Sequence, residues 1–408
     1  DAKSADTALD KPIACPEIEP LFAPGGPVSK LLGRRYRPRK GQIQMANLVR
    51  DALKLGQHAF IEAGTGIGKS FAYLVPVIWS GTQAIVSTSN KALMEQLWTH
   101  DLPQLRRIAP HPFSAALLKG RSNYLCTLRW EALQRNRALP AAKREYKLVK
   151  QKLSEVPSGD CELMRLPAKL WRKLAADRDT CQGRRCPAFR ACLYERAKDR
   201  ARASDLVVTN HALLCLNVLV GENRILPVRP VLIVDEAHEQ QRSAVPMLTR
   251  ELVHGGLTAV VNHEITRVLI DEDEQREARE TNQAFFEALY RLRPRPHKDP
   301  PPQARALEGE IQEGLALYET LHKLCRKLAN YTPSSGEEGA LTSLRWLAQE
   351  VMSAAYYLGH REAENAVRVC SLRPSSPDRC ESCQAHYAPL DVSDLLRSAL
   401  FQGSVSYT

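Results

Sequence analysis

Residues 58–70 read HAFIEAGTGIGKS, and this stretch decides the fold of the chain. Residues 59–62 predict a strand that runs into a glycine-rich turn and then into a helix. Glycines let successive backbone N–H groups point inward at a helix start, where partial positive charge favours a phosphate group. Lys69 would reach the β and γ phosphates, and the Ser70 hydroxyl would bind magnesium. The predicted nucleotide-binding residues are Gly64, Thr65, Gly66, Gly68, Lys69 and Ser70.

A second stretch, VLIVDEAH (231–238), supplies the acidic half of an ATPase site. Four consecutive apolar residues are typical of a central parallel strand, and parallel sheets bind ligands at the carboxyl ends of their strands. Asp235 is placed to hold magnesium, and Glu236 is placed to orient and deprotonate the attacking water. His238 is predicted to relay the nucleotide state, although an ordinary surface histidine fits equally well. The two motifs together predict an α/β nucleotide-hydrolysing domain built on a parallel sheet.

The positive charge of the chain is concentrated in one segment. The 408 residues have a net charge of +11, and residues 119–202 hold 22 Lys and Arg against 9 Asp and Glu, a net charge of +13. Such a segment indicates a polyanionic partner, most simply a nucleic acid, with a solvated helical surface as the alternative. No apolar run approaches the roughly 20 residues that a membrane span needs, so we expect no membrane partner.

Cysteines form two groups along the chain. Where secretory features are absent, cysteines are more often metal ligands, catalytic groups or core residues than disulfides. Four thiolates suit either a tetrahedral zinc ion or a cubane iron–sulfur cluster, and spacing alone does not choose between them. The four candidate ligands are Cys126, Cys181, Cys186 and Cys192. A second group is interpreted as incidental loop cysteines near a histidine, with a second metal site as the alternative: Cys370, Cys380, Cys383 and His386.

The two ATPase motifs, with their flanking segments, resemble superfamily 2 helicases of the DinG/XPD branch over nearly the whole chain. RKGQIQM (39–45) resembles the Q motif of this branch, which implies that Gln42 reads the adenine edge through its amide. AIVSTSNKALMEQLWTHDL (84–102) resembles a segment that contacts the DNA backbone, and DLVVTNHALL (205–214) resembles the strand and short helix of another. The implied nucleic-acid contacts are Thr88, Ser89, Asn90, Asn210 and His211, with helix N-capping as the structural alternative.

The residues around the four cysteines of the basic segment resemble the [4Fe–4S] domain of the same branch. This resemblance implies a cluster in a segment that guides single-stranded DNA, where Tyr124 and Trp130 are either base-stacking or core residues. It also implies the domain order. The expected units are a RecA-like motor domain in 1–118, the cluster domain in 119–202, the continued motor domain in 203–240, an all-helical Arch domain in 241–390, and a returning helix and strand in 391–408.

By this resemblance, the chain is the N-terminal half of an ATP-dependent helicase that moves 5′ to 3′ on single-stranded DNA and unwinds forked duplexes. Its cofactors would be ATP, Mg²⁺ and a [4Fe–4S] cluster, and its location the bacterial cytoplasm, at the nucleoid. We expect a monomer that needs a second motor domain, absent from this chain, for rapid ATP hydrolysis. Two other hypotheses stay open: a zinc-stapled nucleic-acid-binding module with a vestigial ATP site, and a CRISPR-associated or nuclease-linked relative.

Overall fold

A parallel sheet of five strands organises the part of the chain that carries both ATPase motifs. The computed structural model describes residues 13–135, 140–176, 181, 183–220, 225–292, 304–334, 337–360, 366–372, 380–397 and 406–407. The strands are β1 (Ala84–Thr88), β2 (Ala115–Leu117), β3 (Leu206–Asn210), β4 (Val231–Val234), β5 (Arg250–Val253), β6 (Ala304–Ala306), β7 (Ala366–Leu372), β8 (Cys383–Pro389) and β9 (Ser406–Tyr407). In the first sheet the order is β2-β3-β1-β4-β9, with every neighbouring pair parallel. The predicted α/β class with a parallel sheet is confirmed.

Helices cover both faces of this sheet, because its central strands are apolar on both sides. Alternate residues point to opposite faces, so Val86 packs with helices on one side and its neighbour Ile85 with helices on the other. The helices before and around the nucleotide motif are α1 (Glu19–Phe22), α2 (Pro27–Leu32), α3 (Lys40–Leu55), α4 (Lys69–Ser80), α5 (Lys91–Gln96) and α6 (Leu102–Arg106), with a π-helical turn at Leu97–Asp101. Helices α3 and α4 contribute 11 of the 25 buried residues in the core on the first face.

Residues 59–62, which the sequence predicts as a strand, are not part of the sheet. Phe60 is 84% exposed, and the outer strand β9 pairs with β4 through only two residue pairs. A strand exists only where a neighbour satisfies its backbone hydrogen bonds, so apolar character in residues 59–62 could not decide the outcome. The predicted strand is therefore wrong in this structure, although the loop and helix that follow it form as expected.

The basic segment at 119–202 builds a small core of its own. Its helices are α7 (Thr127–Arg135), α8 (Pro140–Glu155), α9 (Cys161–Met164), α10 (Ala168–Leu174) and α11 (Leu193–Ala203). Trp130 is buried in this core and stacks on Tyr146 with ring centroids 5.3 Å apart. Only 2% of Tyr124 is exposed, so its ring is buried and is not available to stack on a base. Of the two alternatives for these aromatic residues, the structure supports the core role.

A second sheet, antiparallel and four-stranded, lies in the segment that the sequence predicts as an all-helical Arch. Its order is β5-β8-β7-β6. The helices that follow α11 are α12 (His211–Val220), α13 (Gln240–Leu248), α14 (His254–Val261), α15 (Glu264–Leu269), α16 (Glu272–Arg291), α17 (Gln312–Asn330), α18 (Glu338–Gly359) and α19 (Ser393–Leu396). The all-helical expectation for 241–390 is wrong, because short strands distant in sequence pair only after the chain has folded back. No helix in the described ranges has the length and apolar character that crossing a membrane requires.

Candidate functional site

The glycine-rich loop adopts a conformation that glycine favours at two positions. Gly66 has a φ of 77° and Gly68 a φ of 90°, and Gly68 directly precedes α4. A left-handed backbone conformation is strained for residues with a Cβ atom. The loop residues 64–66 are exposed at the sheet edge, where the carboxyl ends of β1, β3 and β4 also lie. The loop therefore opens toward the edge where parallel sheets bind their ligands.

Both ATPase motifs meet in one ion pair. The Lys69 Nζ atom lies 2.5 Å from the Glu236 Oε1 atom, and both side chains are about three-quarters buried, with exposed fractions of 24% and 28%. Glu236 has a φ of 56°, a region that costs a non-glycine residue roughly 1–3 kcal/mol and that is frequent at functional sites. The two motifs are 167 residues apart in sequence, so this contact exists only through the fold.

Asp235 lies one residue earlier, with its carboxylate largely inside the protein. Its backbone N–H donates to the Ser87 carbonyl at 2.8 Å, and its Oδ2 atom accepts a hydrogen bond from the Tyr73 hydroxyl at 3.1 Å. Burial raises the pKa of the Asp235 carboxyl above its usual value, and the Tyr73 hydrogen bond lowers it. A carboxylate and the nearby Ser70 hydroxyl are oxygen donors of the kind that magnesium prefers, so these two residues fit a magnesium ion.

Gln42 contacts the nucleotide loop directly. Its Nε2 atom donates to the Gly68 carbonyl at 2.9 Å, and the side chain is 6% exposed. The amide thus supports the loop conformation, and adenine recognition by Gln42 stays a prediction. His238 is 70% exposed, with its Nδ1 atom 3.6 Å from the Glu236 Oε2 atom. His238 thus lies beside Glu236, and its role as a relay also stays a prediction.

Replacing Gly68 by Ala should weaken ATP binding roughly tenfold to a hundredfold, because left-handed strain of about 1–3 kcal/mol converts to that range. A Cβ atom at Gly68 would also stand 2.2 Å from the Gln42 Nε2 atom. The measurement is the affinity for a fluorescent ATP analogue. Gly41→Ala is the control, since a Cβ atom there meets no atom within 4 Å. Equal affinities in the two variants would contradict the role of the loop conformation.

The predicted nucleic-acid contacts divide into exposed and buried residues. Asn90 caps α5 by accepting from the Leu93 N–H at 3.0 Å, and Asn210 accepts from the Leu213 N–H at 2.9 Å. The N-capping alternative is thereby confirmed for both asparagines, and DNA contacts by Ser89, Asn90 and Asn210 stay predictions.

Two of the predicted contact residues do not reach the surface. Thr88 and His211 are both 0% exposed, so direct contact of either side chain with DNA is wrong for this structure. The His211 Nδ1 atom lies 2.7 Å from the Ser87 Oγ atom, and burial lowers the pKa of the imidazole. The sequence does not predict this burial, because a histidine that follows a strand can face either the core or the solvent.

The four candidate cysteine ligands line one cavity, together with Arg121, Phe189 and Tyr194 among others. Burial raises the pKa of the Cys186 thiol, and the other three thiols raise it further, as expected for neighbouring groups. Within the described ranges, no three His, Cys, Asp or Glu side chains form a group that could hold a metal ion. The thiols therefore surround a shared space without converging on one point. The cysteines Cys126, Cys181, Cys186 and Cys192 are brought together across more than 50 residues of sequence.

The second cysteine group is arranged differently. Cys370 and Cys383 are both fully buried on the paired strands β7 and β8. His386 lies three residues beyond Cys383 on β8, and an odd spacing along a strand puts two side chains on opposite faces. The histidine and that cysteine therefore do not share a site.

An ion-pair network that the sequence did not reveal joins the basic segment to the parallel sheet. Lys119 is 4% exposed, and its Nζ atom pairs with Asp160 at 2.9 Å and also with Glu162. Lys91, which follows Asn90 at the start of α5, lies 3.3 Å from the same Glu162. Lysines of this kind look like surface charge in a sequence, since only the fold brings their partners into reach.

The comparisons with known proteins give helicase relatives, and no family model matches the chain. The chain is 35% identical over 226 residues to the ATP-dependent DNA helicase YoaA of Escherichia coli, covering 53% of this chain and 35% of that protein. It is 34% identical over 282 residues to the ATP-dependent helicase DinG of Mycobacterium tuberculosis, covering 63% of this chain and 42% of that protein. It is also 38% identical over 222 residues to a protein named 3′-5′ exonuclease DinG in Bacillus subtilis, covering 51% and 23%.

A solved structure described as an XPD helicase shares the fold, with a TM-score of 0.50 and 11% identity, and covers 91% of this chain and 58% of that chain. The resemblance to DinG/XPD-type helicases that the motifs indicated is confirmed. The chain spans well under half the length of the YoaA and DinG helicases that it matches.

Proposed function

We propose that this chain is the first motor part of an ATP-dependent DNA helicase that moves 5′ to 3′ along single-stranded DNA and unwinds forked duplexes. The observation that carries the proposal is the 2.5 Å contact between Lys69 and Glu236. It joins a phosphate-binding loop to a hydrolytic carboxylate at the ligand-binding edge of a parallel sheet. The helicase names of the YoaA and DinG relatives support DNA as the substrate.

The residues of the site divide the work of ATP hydrolysis. Asp235 and Ser70 would hold magnesium, which neutralises phosphate charge when it is bound. Lys69 would exchange its ion pair with Glu236 for the β and γ phosphates. That exchange releases the Glu236 carboxylate to orient the attacking water and accept its proton.

An iron–sulfur cluster is proposed for the cavity of the basic segment. The four cysteines line one cavity, and the residues around them resemble the [4Fe–4S] domain of DinG/XPD-type helicases, which supports a cluster over a single zinc ion. The ligands would be Cys126, Cys181, Cys186 and Cys192, and the bound cluster would cross-link the starts of α7 and α11 with the segment between α10 and α11.

We also propose a domain organisation for the chain. Residues 1–118 and 203–240 would form the first motor domain, 119–202 the cluster domain, 241–390 the Arch, and 391–408 the return to the motor sheet. The +13 charge of 119–202 would attract the single strand, and the Lys91–Glu162 contact would link this segment to the predicted DNA-contact residues at α5. A second motor domain would complete the ATP site of a monomer that acts in the bacterial cytoplasm, at the nucleoid.

The direction of movement can be tested with the complete protein on two partial duplexes of identical sequence content. One carries a single-stranded 5′ tail and the other a 3′ tail. We expect ATP-dependent unwinding of the 5′-tailed substrate and little of the 3′-tailed one, with a blunt duplex as the control. Unwinding confined to the 3′ tail would reverse the proposed polarity. Nuclease products in place of intact separated strands would favour a nuclease-linked relative.

A further inference from the structure

Tyr73 is a buried residue that contacts Asp235 in the proposed ATP site. It is on α4, one helical turn after Lys69 and Ser70, and only 2% of its surface is exposed. Its hydroxyl donates a hydrogen bond to the Asp235 Oδ2 atom at 3.1 Å. The ring packs in the core between α4 and the parallel sheet. A buried phenol therefore touches the carboxylate that would bind magnesium.

The phenol is the donor in this hydrogen bond, because a carboxylate oxygen can only accept. Ser70, three residues earlier on α4, also has its side chain beside the phenol. One hydroxyl thus lies against both oxygen donors that fit magnesium, one on α4 and one at the end of β4.

We propose that Tyr73 is a positioning residue: its hydroxyl holds the Asp235 carboxylate in the orientation that binds Mg²⁺–ATP. This inference rests on the proposed function. A carboxylate at the end of a strand can rotate about its side-chain bonds, and a donor on one oxygen fixes the direction of the other. Partners that orient metal ligands in this way affect metal affinity by about 10- to 100-fold when they are removed.

An alternative is that Tyr73 only fills the core. The two roles separate in Tyr73→Phe, which keeps the ring and its apolar contacts and removes one hydroxyl. A filler role predicts no change in the magnesium dependence of nucleotide binding. A positioning role predicts a change that appears only when magnesium is present.

The experiment measures the affinity of the complete protein for a fluorescent ATP analogue, once in EDTA and once across a magnesium titration. In EDTA we expect equal affinity for wild type and Tyr73→Phe. In magnesium we expect Tyr73→Phe to need about tenfold more of the ion for half-maximal tightening. Tyr331→Phe is the matched control, because that hydroxyl also donates to a carboxylate, Glu337, at 3.0 Å and lies in a different part of the chain.

A double-variant cycle tests whether Tyr73 acts through Asp235. Asp235→Asn should lose most of the magnesium effect, and adding Tyr73→Phe to it should change nothing further, since the two residues act on the same ion. Additive losses, an unchanged magnesium requirement in Tyr73→Phe, or an equal loss of affinity in EDTA would each overturn the positioning role. Wild-type protein that binds no nucleotide in either condition would instead overturn the proposed function itself.

Discussion

Replacing Lys69 by Ala or Glu236 by Gln in the complete protein should abolish ATP-driven DNA unwinding and leave binding to single-stranded DNA intact. General base catalysis contributes roughly 10²- to 10⁴-fold, so loss of the Glu236 carboxylate should reduce ATP turnover by at least the lower figure. Loss of Lys69 removes the cation that meets the β and γ phosphates. Both variants are measured by ATP hydrolysis, by strand separation, and by DNA binding without nucleotide.

Lys69 and Glu236 are 2.5 Å apart. We therefore expect the two substitutions to change the affinity for ATP in different directions. Glu236→Gln removes the charge that holds Lys69, so affinity for an ATP analogue should be kept or increased. Lys69→Ala should lose that affinity. Glu239→Gln is a suitable control, since it makes the same chemical change three residues further along, in a carboxylate that pairs with Arg242 at 2.9 Å. Unwinding that persists in either Lys69→Ala or Glu236→Gln would refute the assignment of the ATP site.

Replacing Cys126 by Ser should remove the cluster and loosen the basic segment. With wild type purified anaerobically, we expect about four irons and matching sulfide per chain, and broad visible absorbance. One lost thiolate of four should remove most of the iron and the colour. Because metal-binding energy in such a site contributes to folding, residues 119–202 should become sensitive to limited proteolysis. Single-stranded DNA binding should weaken with it, whereas ATP binding should survive.

Cys161→Ser is the matched control for this experiment. Cys161 lies in the same basic segment, is half-buried, and does not line the cavity of the four candidate ligands. It should keep its iron, its colour and its resistance to protease. A colourless wild type with one zinc ion per chain would favour the zinc-stapled alternative and leave the ATP site standing. Loss of iron from both variants to the same extent would remove the basis for the four-ligand assignment.

Some elements of this protein could be predicted because their signals are local. The loop GTGIGKS needs only glycine conformations, a lysine and a helix start, all encoded within a few residues. Strand β4 forms where the apolar run 231–234 predicts it, and β3 and α12 form where 205–214 resembles a strand and a short helix. Asn90 and Asn210 cap helices by contacts three residues away, which the N-capping alternative anticipated. In each case the deciding atoms lie within one or two turns of chain.

Other features depend on contacts between residues that are distant in sequence, and local sequence patterns do not predict those contacts. Residues 59–62 have the apolar character of a strand and yet remain outside the sheet. Strand β5 pairs with β8 across more than 100 residues of sequence, in a segment whose periodicity is otherwise helical. Thr88 and His211 look like surface residues at strand ends and are fully buried. Hydrogen-bond partners and burial are properties of the packed chain, so residue types alone left these outcomes open.

Residue types and their spacing predict the candidate groups of this protein: a glycine-rich phosphate loop, an acidic strand end, a basic segment and four thiols. Which of these groups meet depends on tertiary packing. It brought Lys69 to Glu236 across 167 residues, and Tyr73 to Asp235 across 162. It also gathered the four cysteines around one cavity and linked Lys91 to Glu162. The physical reason is that residue type sets what a side chain can donate, accept or charge, whereas distance and burial are set by how the strands and helices pack.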